Sequence, residues 1–154
     1  MKIRFWVWLT LICLSSCVTV PIKPTIEDSI TLQSSFNKVW TATVATLPEK
    51  ALPIEVIEKE SGLITTKFVI FTDGLIAQKA IDRVSQRPSV FMGTWEKGRY
   101  TLSIFITSEG ENTTKVKITI YIEAYEGNVT KSWNVCYSKG VIEKDIFEVI
   151  KSKV

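Results

Sequence analysis

Few side chains in this sequence are of the types that carry out enzyme chemistry. The 154 residues include three cysteines and no histidine. Without histidine, neither a Ser-His-Asp triad nor a histidine-ligated metal site can form, and Cys136 lacks the base that commonly activates a cysteine nucleophile. Acidic pairs such as Glu55/Glu58 and Glu109/Glu111 fall on a predicted strand edge and a turn, where carboxylates are solvated. We therefore expect a protein that is not an enzyme and that holds no metal or other cofactor.

The N-terminal segment has the features of an export signal. Lys2 and Arg4 form a positively charged start before an apolar run, Phe5 to Leu14, that is about half as long as a bilayer-spanning helix. Leu14-Ser15-Ser16-Cys17 follows and resembles the lipid-attachment box of bacterial lipoproteins. This resemblance implies that residues 1–16 are a signal peptide and that Cys17 is lipidated. The alternatives are an ordinary cleaved secretion signal or a short buried helix.

The residues after Cys17 bear on where the protein works. Val18 follows the lipidation site, and in enterobacterial sorting a residue other than Asp at that position allows passage to the outer membrane. The resemblance therefore implies a lipid anchor in the cell outer membrane, with the protein facing the periplasm. Residues 17–30, which include Pro21 and Pro24, predict a stiff tether that reaches at most about 45 Å. We expect the folded domain to stay near the membrane.

Length and composition indicate one globular domain. Removal of residues 1–16 leaves 138 residues, and the domain predicted over 31–154 is long enough to have its own core. The apolar share of 45% and the charged share of 23% are typical of folded proteins. Because Lys2 and Arg4 leave with the signal, 17 basic and 16 acidic residues remain. With no arginine-rich run and no glycine-rich phosphate loop, we expect no nucleic-acid partner.

Hydrophobic periodicity predicts a helix at each end of this domain. An apolar stripe over Gln33–Leu47 includes Trp40, and Pro48 is expected to end that helix. A second helix is predicted over Lys139–Ser152. The predicted N-terminal caps are Ser34 or Ser35 for the first helix and Ser138 for the second.

Alternation of apolar and polar residues predicts five strands between these helices. The two helices would cover the apolar face of one antiparallel sheet, so the predicted fold is an α+β two-layer sandwich. The predicted strands are Ile54–Lys59, Leu63–Phe71, Arg99–Thr107, Thr114–Ala124 and a last one after Gly127-Asn128.

Gly127-Asn128 is typical of a two-residue hairpin turn. Such a turn would place Glu126 opposite Val129 and Ile122 opposite Trp133. This register predicts that Trp133 lies in the core and that Cys136 lies on the outer face of the sheet.

Residues 72–98 do not follow the strand pattern and predict an irregular insertion, with a helical turn or two near Leu75–Val84. The segment combines basic and aromatic side chains, which are enriched in protein interfaces and near lipid headgroups. Alternatively, Phe91 and Trp95 close one end of the core. The candidate interaction surface comprises Arg83, Arg87, Phe91, Met92, Trp95 and Arg99.

The order of elements and several short segments are similar to the helix-grip domains of the BamC family of outer-membrane lipoproteins. The similar segments are Phe36-Asn37-Lys38-Val39-Trp40, Gly62-Leu63-Ile64-Thr65-Thr66, Gly98-Arg99-Tyr100 and Ser138-Lys139-Gly140. The resemblance spans about residues 31–152. BamC proteins carry a long docking segment and two such domains, whereas the pattern here predicts one domain on a short tether. No binding residues can therefore be transferred from that family.

The resemblance implies an accessory or scaffold in outer-membrane protein assembly. The expected partners are the membrane, through Cys17, and proteins of that assembly machinery. Helix-grip folds of other families enclose an apolar cavity between sheet and helix, so the alternative is a module that binds a lipid or another hydrophobic ligand.

Overall fold

The fold consists of eight strands and three helices between residues 21 and 154, the part of the chain that the computed structural model describes. The predicted signal peptide, 1–16, and the predicted lipidation site, Cys17, lie outside the described residues. The elements in chain order are β1 (Ser29–Leu32), α1 (Phe36–Glu49), β2 (Ile54–Glu58), β3 (Leu63–Thr66), β4 (Val69–Asp73), α2 (Ala77–Val84), β5 (Ser85–Gln86), β6 (Trp95–Gly110), β7 (Thr113–Glu126), β8 (Ser132–Ser138) and α3 (Val141–Lys151).

A long antiparallel hairpin of β6 and β7 forms the centre of the sheet. On its other edge, β6 pairs with β3 along one part of its length and with β4 along another. The other edge of β7 pairs with β1 and β8 in the same way. β2 pairs with β3, and β5 pairs with β8. The predicted class, α+β with one antiparallel sheet, is confirmed. The predicted number of about five strands is wrong, because the sheet has eight.

One of the extra strands arises where the predicted strand Leu63–Phe71 divides into β3 and β4. The Thr66 hydroxyl accepts the backbone N–H of Leu102 at 3.0 Å, which interrupts the backbone ladder between the strands. The interruption also inverts the alternation of side chains. Phe68 and Ile70 consequently do not share the buried face of Ile64 and are exposed.

The predicted tether and insertion both contain regular structure. Ser29 and Ile30, assigned to the tether, already pair with β7 as part of β1. The segment 72–98 includes the end of β4, α2, β5 and the first residues of β6. The helical turns expected near Leu75–Val84 correspond to α2.

All three helices pack on one face of the sheet, which we call the inner face. Inward-pointing residues of β7 contact α1 and α3 in the main core and α2 in a smaller one. The main core includes Val39, Trp40, Leu47, Ile64, Leu102, Ile104, Ile118, Ile146 and Ile150, and the smaller core comprises Ala77, Ile81, Trp95, Ile122, Ala124 and Cys136.

The end of α1 lies two residues beyond the predicted one. Pro48 occupies the last turn, and the helix ends at Glu49. The missing proline N–H removes only one bond near a helix end, so the turn tolerates it. At the other end, Ser35 is the N-cap residue, but its carbonyl rather than its hydroxyl accepts the N–H groups of Lys38 and Val39.

The cap of α3 also differs from the prediction. Gly140, with φ of +80°, is the N-cap residue. Ser138 acts one step earlier: its hydroxyl accepts the Gly140 N–H at 3.0 Å and donates to Glu143 at 2.9 Å. Ser138 therefore supports the helix start without being the cap.

The predicted register of the last hairpin is wrong. Ile122 pairs with Cys136, and Tyr125 pairs with Trp133. This is a shift of three residues, and an odd shift exchanges the two faces of a strand. Cys136 therefore lies in the core, whereas Trp133 lies on the outer face.

The cause of the register is Glu126, whose side chain is buried. Its carboxylate accepts the backbone N–H groups of Asn128 at 2.8 Å, Val129 at 2.9 Å and Thr130, and that of Thr94 at 2.8 Å. These bonds organise a five-residue connection, Gly127–Lys131, in place of the predicted two-residue turn.

Candidate functional site

The sheet face opposite the helices is the candidate functional site, and we call it the open face. The described helices all pack on the inner face, which leaves large apolar side chains of β4, β6, β7 and β8 in solvent. Large exposed apolar side chains concentrated on one uncovered sheet face mark an interaction site more often than scattered ones do. Five of its side chains are 44% to 61% exposed: Phe68, Ile70, Phe105, Tyr121 and Val135.

A continuous stack of four aromatic rings and one guanidinium crosses the open face. The Arg99 guanidinium carbon lies 4.1 Å from the ring centroid of Trp133 and 4.5 Å from that of Phe68. Tyr125 continues the row beyond Trp133 with an edge-to-face contact, with ring centroids 5.5 Å apart, and Tyr121 does the same beyond Phe68 at 6.2 Å. We call these five residues the aromatic stack.

Glu123 fixes the charged centre of this stack. Its carboxylate oxygen Oε2 lies 2.8 Å from both Nε and Nη2 of Arg99. The other oxygen accepts the Tyr121 hydroxyl at 3.3 Å. Partial burial, the negative charge of Glu123 and the hydrogen bond to it raise the pKa of the Tyr121 phenol, while Arg99 acts in the opposite direction. The centre of the open face is thus a neutralised ion pair between aromatic rings.

This arrangement is suited to binding a protein surface. Arginine, tyrosine and tryptophan held rigidly are the side chains that contribute most to protein interfaces. Two lysines add positive charge to the part of the face nearest the β6–β7 turn. Lys117 lies opposite Phe105 there, and Lys115 lies opposite Thr107. Lys117 also lies 3.4 Å from a carboxylate oxygen of Asp28. The face therefore complements a predominantly apolar partner surface.

The six residues of the predicted interaction surface do not lie together. Trp95 is in the core beneath α2 and is 2% exposed, as the alternative interpretation of the insertion expects, whereas Phe91, which that interpretation also places in the core, is 83% exposed. The other five lie in three places. Arg83 is exposed on α2, and Arg87 contacts both Asp82 and the Trp95 ring. Phe91 and Met92 are exposed on a loop, and Arg99 is the centre of the aromatic stack.

Sequence reasoning missed most of the aromatic stack. Alternation along β7 correctly placed Tyr121 and Glu123 on the outer side of the sheet. Trp133 was assigned to the core because the hairpin register was wrong. Uninterrupted alternation over the predicted strand Leu63–Phe71 would put Phe68 on the same face as Ile64, but the break after Thr66 turns Phe68 to the open face. Alternation along the predicted strand Arg99–Thr107 likewise indicates the outward position of Arg99, since Tyr100 faces the core.

A cleft of about 410 Å³ opens at the edge of β7, between the ends of β1 and β8. Residues 23–26 and 135–138 form its walls, and Glu143 lies among its lining residues. Glu143 is fully buried, and its oxygen Oε1 has no hydrogen-bond partner among the described residues. The cleft has the size and polarity to hold a water molecule or a small donor group at this oxygen.

Cys136 lines the same cleft, but its burial disfavours the thiolate form. Burial raises the pKa of its thiol to about 11, against the lowering effects of the Ser85 hydroxyl, the Ala124 N–H and the charge of Arg87. The thiolate, which is the reactive form, is therefore scarce at neutral pH.

Neither a metal site nor a membrane span is found in residues 21–154. No group of three or more metal-ligating side chains comes together there. No helix in this range is long and apolar enough to cross a membrane.

Comparison with known proteins leaves the site to be interpreted from its own geometry. No family model matches the chain, and no curated protein sequence matches it.

Proposed function

We propose that this chain is a lipoprotein anchored in the bacterial outer membrane through Cys17, which acts without catalysis as an accessory or scaffold in outer-membrane protein assembly. The observation that carries this proposal is the aromatic stack on the open face. Its rings and Arg99 are held in place before any partner arrives, which reduces the entropy lost on binding. We further propose that the domain is of the helix-grip type and that it docks its partner on the open face.

The packing beneath the helices supports a protein-docking role. The layer between the sheet and helices α1 and α3 is filled by side chains with almost no exposure, among them Leu47, Ile64, Leu102 and Ile146. Helix-grip domains that bind hydrophobic ligands would need space in that layer. The exposed apolar area is on the opposite face of the sheet instead.

One observation favours the alternative function, a module that binds a lipid or another hydrophobic ligand. An open apolar dish of about 520 Å³ lies where α1 meets β2. Its lining residues are Val44, Pro48, Ala51, Leu52, Pro53 and Ile54. The dish offers apolar contact without charged side chains to fix the orientation of a ligand.

The proposal is tested by affinity capture of the full-length protein from detergent-solubilised envelopes. We expect to recover proteins of the outer-membrane assembly machinery. A variant with Phe105→Ser and Tyr121→Ser removes two exposed rings of the open face but keeps the Arg99 sandwich, and it should lose these partners. A matched variant with Ile57→Ser and Val141→Ser, similarly exposed but away from the open face, should keep them.

Two results would overturn the docking role. One is equal recovery of the assembly proteins with the open-face variant and the control variant. The other is a preparation that contains copurified lipid and none of the assembly proteins, which would favour the hydrophobic-ligand module. A Cys17→Ala variant tests the anchor separately, since it should lose lipid labelling and leave the outer-membrane fraction.

A further inference from the structure

Three loops at one end of the sheet present large apolar side chains to solvent. They are Gly74–Ile76 before α2, Val90–Thr94 before β6, and Gly127–Lys131 between β7 and β8, and we call them the apical loops. Leu75 is fully exposed, Ile76 is 71% exposed, and Phe91 and Met92 are 83% and 73% exposed. Val129 is 45% exposed on the third loop. Exposed apolar residues on neighbouring loops form a protruding hydrophobic end.

Hydrogen bonds hold the apical loops together. The Gly74 N–H donates to the carbonyl of Glu96, and the Gly127 N–H donates to that of Thr94, each at 2.9 Å. The Asn128 side-chain amide donates to the Met92 carbonyl at 2.9 Å. The buried carboxylate of Glu126 bonds to both the second and the third loop. The apolar side chains are therefore carried on a cross-linked platform.

The backbone of the second loop is strained in a way that keeps its side chains outward. The Gly93 N–H donates to the Val90 carbonyl at 3.0 Å, which closes a turn with Phe91 and Met92 at its tip. Met92 has φ of +58°, a left-handed conformation that is costly for a long side chain. A glycine would be relaxed at this position, so the strain accompanies the presentation of two large apolar side chains.

The N-terminal segment approaches the domain from the same end. β1 is antiparallel to β7, and the Ile118 N–H donates to the Asp28 carbonyl at 2.8 Å. Because β7 runs toward the apical loops, the residues before Asp28 lie on the apical side of β1. Lys23–Ile26 line the cleft with Tyr121 and Val135. Three residues separate Pro21 from Cys17, so the covalent reach between their Cα atoms is at most about 14 Å.

We propose that the apical loops insert their apolar side chains into the bilayer that holds the lipid anchor. This inference rests on the proposed lipidation of Cys17, and it adds a second contact that sets the orientation of the domain. Exposed charged side chains near the loops are of both signs: Lys79 and Lys131 are basic, and Asp73 and Glu96 are acidic. Apolar insertion rather than attraction to anionic lipid therefore drives the contact, and it depends little on salt.

The test uses the lipidated protein reconstituted into phosphatidylethanolamine–phosphatidylglycerol vesicles. An environment-sensitive fluorophore is attached through Met92→Cys, or through Glu111→Cys at the opposite end of the β6–β7 hairpin. Cys136 does not compete for the label because it is buried and its thiol pKa is about 11. We expect a blue-shifted, quencher-protected emission at position 92 and a water-like emission at position 111.

Variants make the result specific to the apical loops. Adding Leu75→Ser and Phe91→Ser to the Met92→Cys protein should abolish the blue shift, whereas adding Ile57→Ser and Val141→Ser should leave it unchanged. The blue shift should also persist in vesicles of zwitterionic lipid alone and at 0.5 M salt.

The outcomes separate this inference from the proposed anchor. Protein that floats with the vesicles but shows water-like emission at position 92 overturns the insertion and leaves the anchor standing. A blue shift at both positions means that the domain lies flat on the bilayer and also overturns the insertion. Protein that does not float with the vesicles overturns the anchor and the insertion together.

Discussion

The residue that most clearly decides local structure is Glu126, a buried carboxylate at the apical end of β7. Burial alone would raise its pKa, but the backbone N–H groups of Thr130, Thr94, Asn128 and Val129 lower the pKa from 4.5 to about 2. Between these two values, the unfolded chain binds more protons at this position than the folded chain does. The free energy of unfolding should therefore fall as the pH falls from about 4.5 to about 2.

Glu126→Gln should remove this part of the pH dependence. It should also destabilise the protein at pH 7 by about 2–3 kcal/mol. The neutral amide is a weaker acceptor than the carboxylate, and its NH₂ group would point at backbone N–H groups that are themselves donors. Urea unfolding of both proteins at pH 7 and pH 3 measures the difference. Glu55→Gln, at an exposed position on β2, is the control and should change neither quantity. An unchanged stability of Glu126→Gln at pH 7 would contradict the organising role of Glu126.

At the scale of the elements, the turn between β2 and β3 depends on close backbone approach. Gly62 has φ of +70°, and its carbonyl accepts the Ile106 N–H at 2.9 Å. A Cβ atom at Gly62 would overlap the Ile106 carbonyl oxygen, so the turn could no longer lie against β6. Gly74 has φ of +80°, but a Cβ atom built there would meet no heavy atom within 4 Å.

These two glycines form a matched pair for substitution. Gly74→Ala should cost about 1 kcal/mol, the penalty for alanine in a left-handed conformation. Gly62→Ala carries the same penalty and the backbone overlap, so it should cost at least about 2 kcal/mol. Urea unfolding at pH 7 measures both changes. Equal losses would show that close approach to β6 contributes nothing.

The elements also show how far the sequence predicts this fold. Periodicity is a property of the residues themselves, so it located α1, α3, β6 and β7 and the class of the sheet. The register of β8 depends on hydrogen bonds from Glu126 to a loop, and the division of β3 from β4 depends on the Thr66 hydroxyl. Neither effect has a periodic signature. The aromatic stack was missed for this reason, because Phe68 and Trp133 follow those two irregularities.

The two proposed surfaces lie at different places on the whole molecule. The apical loops lie at the end of the β6–β7 hairpin away from its turn, and the open face runs along one side of the hairpin. A sixteen-residue strand such as β6 is about 50 Å long. With the apical loops in the bilayer, the strands rise from the membrane and the open face is directed sideways, toward a neighbour in the same membrane. Orientation and partner binding then become separable functions.

This separation predicts opposite behaviour of two variants in two environments. After detergent solubilisation no bilayer orients the domain, so the variant with Leu75→Ser and Phe91→Ser should capture partners as well as the unaltered protein does. In intact envelopes the same variant should cross-link less to those partners from a photoreactive group at position 119, an exposed position on the same side of β7, because its open face is no longer held sideways. The open-face variant, Phe105→Ser with Tyr121→Ser, should lose capture in detergent but keep the blue shift at position 92. If the apical variant also loses capture in detergent, the loops contact the partner directly, and the division of the molecule into two surfaces is wrong.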